Sequence, residues 1–185
     1  RKFAMPVLTT QQLSKSFGDR DLFTDLSLSA PHRARIGLVG PNGVGKTTLL
    51  RIILGMEEAS SGSVHIARGT RIGYLPQEAL LESGRTLWDE CLTVFAPLLE
   101  MQARLEELEV AMSDPARAEE ALEAYGKLQQ EFEHQGGYTY ETRIRMTLTG
   151  LSFSREDERR PITQLSGGQR TRALLARLLL SGPDL

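Results

Sequence analysis

The stretch GPNGVGKTT, Gly40 to Thr48, constrains this chain more than any other. The apolar run RIGLV leads into it and the helix-forming run TTLLRIIL leads out. Gly40, Gly43 and Gly45 permit positive φ, so successive backbone N–H groups can turn toward one point at the start of a helix. Unpaired N–H groups and aligned peptide dipoles make that point attractive to phosphate. Lys46 adds a mobile cation able to reach neighbouring phosphates, and the Thr47 hydroxyl is placed to ligate Mg²⁺. Pro41, Asn42, Val44 and Thr48 complete the loop. The order strand, loop, helix separates it from an ordinary glycine-rich turn.

A second stretch, LSGGQ from Leu165 to Gln169, offers a similar device. Ser166 is expected to cap the helix that follows, Gly167 and Gly168 leave its first N–H groups open to an anion, and Gln169 closes the motif. Ser-Gly-Gly is a common loop, so alone it says little. Together with the first stretch, 125 positions earlier from Gly168 to Gly43, it gives one chain two anion-binding helix starts with a helical block between them.

Composition bounds the rest. With 185 residues, 40% of them hydrophobic, the chain can bury one sizeable core and a smaller lobe. Its single cysteine, Cys91, excludes an internal disulfide, and His32, His65 and His134 lack metal-ligand spacing, so a reducing, cytoplasmic setting is expected. No apolar run reaches membrane-spanning length, so no direct membrane insertion is expected, and the first residues lack a signal-peptide core. Met5 is a candidate start, preceded by Arg1 to Ala4.

The formal charge of −2 gives no overall reason to expect nucleic-acid binding, but it is unevenly spread. From Glu100 to Glu133 ten acidic residues face three basic ones, whereas Arg143 to Arg177 holds eight arginines. Both blocks also read as solvated helix faces. Residues 5 to 75 read as strand-rich, with PVLTTQQLSKSF, DLFTDLSLSA, ARIGLVG, GSVHIA and TRIGYL as strands and one helix after Gly45. From residue 86 to 134 the spacing of Leu98, Met101, Leu105, Leu108 and Met112, then of Tyr125, Leu128 and Phe132, predicts a helical hairpin closed by Gly136-Gly137. A further helix carries Tyr140, Ile144 and Leu148.

In order and spacing these features resemble the nucleotide-binding domain of an ABC ATPase. Gly40 to Thr47 resembles that family's Walker A loop, Gln77 in YLPQ its Q-loop, and LSGGQ its signature. Phe17 in SKSFGD falls where the family places an aromatic residue that stacks on adenine. Taken alone, Phe17 reads as a core residue and Gln77 as a polar strand end. The resemblance runs from about Val7 to Leu185. It implies an α/β P-loop NTPase fold of the ABC type, with an N-terminal antiparallel β region, a partial parallel core sheet and a helical subdomain with an α-hairpin. Residues 5–85 would form the ATP-binding core with Walker A and Q-loop, 86–164 the helical subdomain, and 165–185 the signature and its helix, returning to the core.

The resemblance further implies ATP and Mg²⁺ as cofactors. Lys46 and Gln77 are the expected catalytic contributors, and Thr47 and Gln77 the Mg²⁺ ligands. Phe17, Gly40 to Thr48 and Ser166 to Gln169 are the expected nucleotide contacts. Within the superfamily the acidic hairpin, GGYTYETRIRMTLTGLSFS and SGGQRTRALLARLLL look like the first domain of an ABC-F protein, a soluble ATPase that acts on ribosomes. A second ABC domain, paired head-to-tail and most simply part of the same full-length chain, is the implied partner, with the ribosome as target. The alternatives are the ATP-binding subunit of a membrane transporter and a nucleotide-dependent binding module without hydrolysis. In the family the segment after PDL carries the Walker B carboxylates, so these 185 residues are expected to bind ATP without turning it over.

Overall fold

The computed structural model describes residues 6–76 and 84–185. The chain divides into two compact units, Arg1–Gly73 with Gly182–Leu185, and Tyr74–Ser181.

In the first unit, β1 (Pro6–Phe17), β2 (Arg20–Pro31) and β3 (Ser61–Ile66) form an antiparallel sheet in the order β2-β1-β3. Alternation in β1 sends Leu8, Thr10 and Leu13 inward. Gly18, at φ 57, makes the tight turn that pairs Phe17 with Arg20. The register shifts between Gln11 and Ser14, where Gln12 takes φ 47 and Gly62 of β3 takes φ 87 opposite the bulge. Helix α1 (Lys46–Ile53) buries Leu49 and Ile52 with Leu13, and Phe23, Leu26, Leu28 and Val64 pack around them.

Two expected strands do not form. RIGLV has no regular structure, and Ile36, Leu38 and Val39 are 61%, 45% and 94% exposed. A buried parallel strand takes its hydrogen bonds and its cover from neighbours on both sides. Among the described residues no strand lies beside this segment, so apolar composition alone does not make it one. TRIGYL is likewise irregular over its described residues. Among the described residues the parallel core sheet is represented by one short pairing. Leu185 donates to the Arg71 carbonyl at 3.2 Å and accepts from the Gly73 N–H at 2.8 Å, the slanted pattern of a parallel pair. Asp184 accepts from the Arg71 N–H, which holds its carboxyl below the usual range.

The second unit is helical: α2 (Leu87–Leu92), α3 (Ala96–Ala111), α4 (Ala118–His134), α5 (Tyr140–Gly150), the short α6 (Arg155–Glu158) and α7 (Gly167–Ser181). The hairpin α3–α4 buries Leu98, Leu105 and Leu108 from the first helix and Ala121 and Phe132 from the second. Gly137 is needed where it stands, because a Cβ there would enter the Phe132 ring. Tyr140, Ile144 and Leu148 of α5 join Cys91, Phe95, Ala173 and Ala176 in one core. Into this core α2 brings Glu90, 3% exposed, whose carboxylate pairs with Arg177 of α7 at 2.6 Å. A buried carboxylate requires such a partner, so the pair fixes α7 against α2.

Burial, with Glu90 beside it, pushes the Cys91 thiol up to about 12. The thiol is therefore protonated and shielded at neutral pH. Alkylation at pH 8 is expected to leave Cys91 unmodified in the folded protein and to label it rapidly in denaturant, as read by mass spectrometry. Equal labelling rates would mean that α2 is not packed in this way.

Candidate functional site

The glycine-rich loop lies in the first unit. Gly43 takes φ 79, and Gly45, at φ 97, is the N-cap of α1 with no side chain capping the helix start. A Cβ on Gly45 would lie 3.1 Å from Leu22 Cβ, so both backbone and neighbour call for glycine. The Lys46 ammonium folds back over the loop and donates to the Gly40 carbonyl at 2.8 Å and the Pro41 carbonyl at 2.7 Å. A cation thus sits over the loop, beside an uncapped helix start. Asn42, Val44 and Thr47 are exposed and Thr48 is half-buried. Leu49 and Ile52, buried on the sheet side, hold α1 in place. Arg20 approaches from the β1–β2 turn, with Nη2 3.5 Å from the Gly43 carbonyl.

Phe17 ends β1. It is 54% exposed, which excludes the core position its type alone would indicate. The Lys15 ammonium lies 4.6 Å from the centre of its ring. Residue type alone does not place Lys15 and Arg20 here; the signal in the sequence is that Lys15, Phe17 and Arg20 flank one two-residue turn. Gln77 lies outside the described residues.

The second motif lies in the other unit. The Ser166 hydroxyl accepts from the Gln169 N–H at 3.2 Å, and the Gln169 side-chain oxygen accepts from the Ser166 N–H at 2.9 Å. This reciprocal cap starts α7. Leu165 is buried and anchors the turn, whereas nothing lies within 4 Å of a Cβ built on Gly167 or Gly168. The helix start is open on that side. Among the described residues no group of three or more His, Cys, Asp or Glu side chains could hold a metal ion.

The family model described as ABC transporter matches residues 23–185. The chain belongs to the ABC transporter family. Its ABC fold also matches a solved structure of the ATP-binding subunit of an ABC transporter, with a TM-score of 0.63 at 19% identity over 96% of this chain and 63% of that one. Among curated relatives, the ATP-binding protein YdiF of Bacillus subtilis is 43% identical over 98% of this chain and 28% of its own length. The energy-dependent translational throttle protein EttA of Mycobacterium tuberculosis is 33% identical over 97% of this chain and 32% of its own length. The chain thus spans about a third of the length of these ABC relatives. Among the described residues no helix is long and apolar enough to cross a membrane.

Proposed function

We propose that the chain is the ATP-binding domain of a soluble ABC-F type ATPase, an ATP-driven clamp that acts on the ribosome. The nucleotide part of this reading is carried by one observation, the uncapped start of α1 with Lys46 folded over glycines at positive φ. A triphosphate along Gly40 to Thr48 replaces the Gly40 and Pro41 carbonyls as partner of Lys46 and takes up the free N–H groups. Thr47 and Gln77 would hold Mg²⁺, which would supply charge neutralisation to the bound triphosphate. Adenine stacks on the exposed ring of Phe17.

Ser166 to Gln169 serve a second nucleotide. The open start of α7 presents N–H groups to the γ-phosphate of ATP held by another ABC domain, and the two domains close head-to-tail. ATP then stabilises the closed pair because its charge is satisfied only when both surfaces meet it. Hydrolysis by the intact protein, aided by Lys46 and Gln77, releases the pair.

Similarity to a relative named as a translational throttle supports the ribosome as target. The transporter description of the family and the subunit of similar fold favour a second reading, an ATPase subunit of a membrane transporter. Sedimentation through a sucrose cushion distinguishes them. The full-length protein, with a slowly hydrolysed ATP analogue, is expected to co-sediment with ribosomes and to be released without nucleotide. Nucleotide binding without any ribosome retention would sink the ABC-F reading.

A further inference from the structure

Lys15 is a lysine with a side chain only 12% exposed. Its ammonium donates to the Glu58 carbonyl at 2.7 Å and pairs with the Glu57 carboxylate at 3.1 Å. The same ammonium lies 4.6 Å from the centre of the Phe17 ring. Three partners hold one cation, and the cation occupies one face of an aromatic side chain that is otherwise 54% exposed.

We infer that Lys15 is a positioning residue for nucleobase recognition, fixing the Phe17 ring from behind so that its free face receives a purine. The inference rests on the reading that Phe17 stacks on the base.

Two physical effects act together. An exposed phenylalanine at a hairpin end would ordinarily spread over several rotamers, and ordering it on binding costs free energy. The anchored ammonium selects a ring orientation before the ligand arrives. A cation on one face also draws electron density toward itself, which leaves the opposite face better suited to an electron-rich base. A purine offers more stacking area than a pyrimidine, so the arrangement favours ATP over CTP. Lys15 itself touches neither base nor phosphate in this scheme. Its charge is committed to Glu57, Glu58 and the ring.

Calorimetric titration of the full chain with ATP, CTP and inorganic tripolyphosphate tests this. Lys15→Met is expected to weaken ATP binding about two- to fivefold, with less effect on CTP and none on tripolyphosphate. Phe17→Ala is expected to lose at least as much for ATP, and the double variant to lose no more than Phe17→Ala alone. Glu57→Gln frees the ammonium without deleting it and should give a smaller loss of the same selectivity. It carries the comparison if Lys15→Met does not fold. Unchanged ATP affinity in the lysine and glutamate variants beside a loss in Phe17→Ala would overturn the inference and leave the stacking reading standing. Unchanged affinity in Phe17→Ala would overturn the stacking reading itself. Loss of tripolyphosphate binding in Lys15→Met, or additive losses in the double variant, would show that Lys15 acts through general structure or apart from the ring, and either would overturn its assignment.

Discussion

Lys46→Ala is expected to lower ATP affinity by about tenfold to a hundredfold. A charge-assisted hydrogen bond contributes roughly 1.5 to 3 kcal/mol net, because binding exchanges one set of partners for another. The Lys46 ammonium donates to the carbonyls of Gly40 and Pro41, which on the proposed reading are the partners that phosphate replaces. Binding therefore gains the difference between phosphate and carbonyl oxygen as acceptors, not the full attraction of two bare charges. The substitution leaves the two carbonyls to water on an exposed loop, so thermal stability should change little. Lys46→Arg should restore only part of the affinity, because a planar guanidinium does not substitute for a compact ammonium. Calorimetry decides the matter. Equal affinity in wild type and Lys46→Ala would remove the loop as the nucleotide site.

The other large effect concerns the sheet that carries Phe17. Gly62→Ala is expected to destabilise the first unit by about 2 to 4 kcal/mol. Gly62 stands at φ 87, where any other residue is strained, and a Cβ there would lie 2.6 Å from the Gln11 carbonyl oxygen and closer still to that of Gln12. Those atoms are backbone within the bulge that ends with Ser14 paired to Ser61, so side-chain rotation cannot relieve the contact. Gly69→Ala is the comparison. Its φ is 81 but nothing lies within 4 Å of the added Cβ, so it bears the conformational cost alone, about 1 kcal/mol. Urea unfolding of both variants, followed by a probe in the sheet, separates the two contributions. Equal losses would show that the close approach of β3 to the bulge is not what requires glycine.

The backbone geometry of the candidate site was legible in the sequence for a physical reason. A loop that binds phosphate through backbone N–H groups needs glycine where φ is positive, and Gly43 and Gly45 carry that requirement in their residue type. Helical periodicity is equally local. It placed Leu98, Leu105 and Leu108 on one face, and Tyr140, Ile144 and Leu148 on another. The Ser166 cap follows from residue type and a three-residue offset, which are likewise local.

What depended on distant neighbours was decided only by the tertiary structure. RIGLV and TRIGYL have strand-like composition, but a parallel strand exists only beside partners supplied from elsewhere in the chain, and among the described residues only Leu185 with Arg71 and Gly73 makes bonds of that kind. The exposure of Phe17 was also beyond local reasoning, because an aromatic residue at a strand end fits a core as well as a surface until the surrounding chain is placed. Lys15 meets Glu57 and Glu58 more than forty positions away, and Glu90 meets Arg177 eighty-seven positions away. No residue type announces such a meeting. The sequence by itself determined where glycine takes positive φ at the start of α1 and which segments form helices. Folding decided which side chains stand around the phosphate loop, since charge pairing and burial depend on distances that the covalent order does not set.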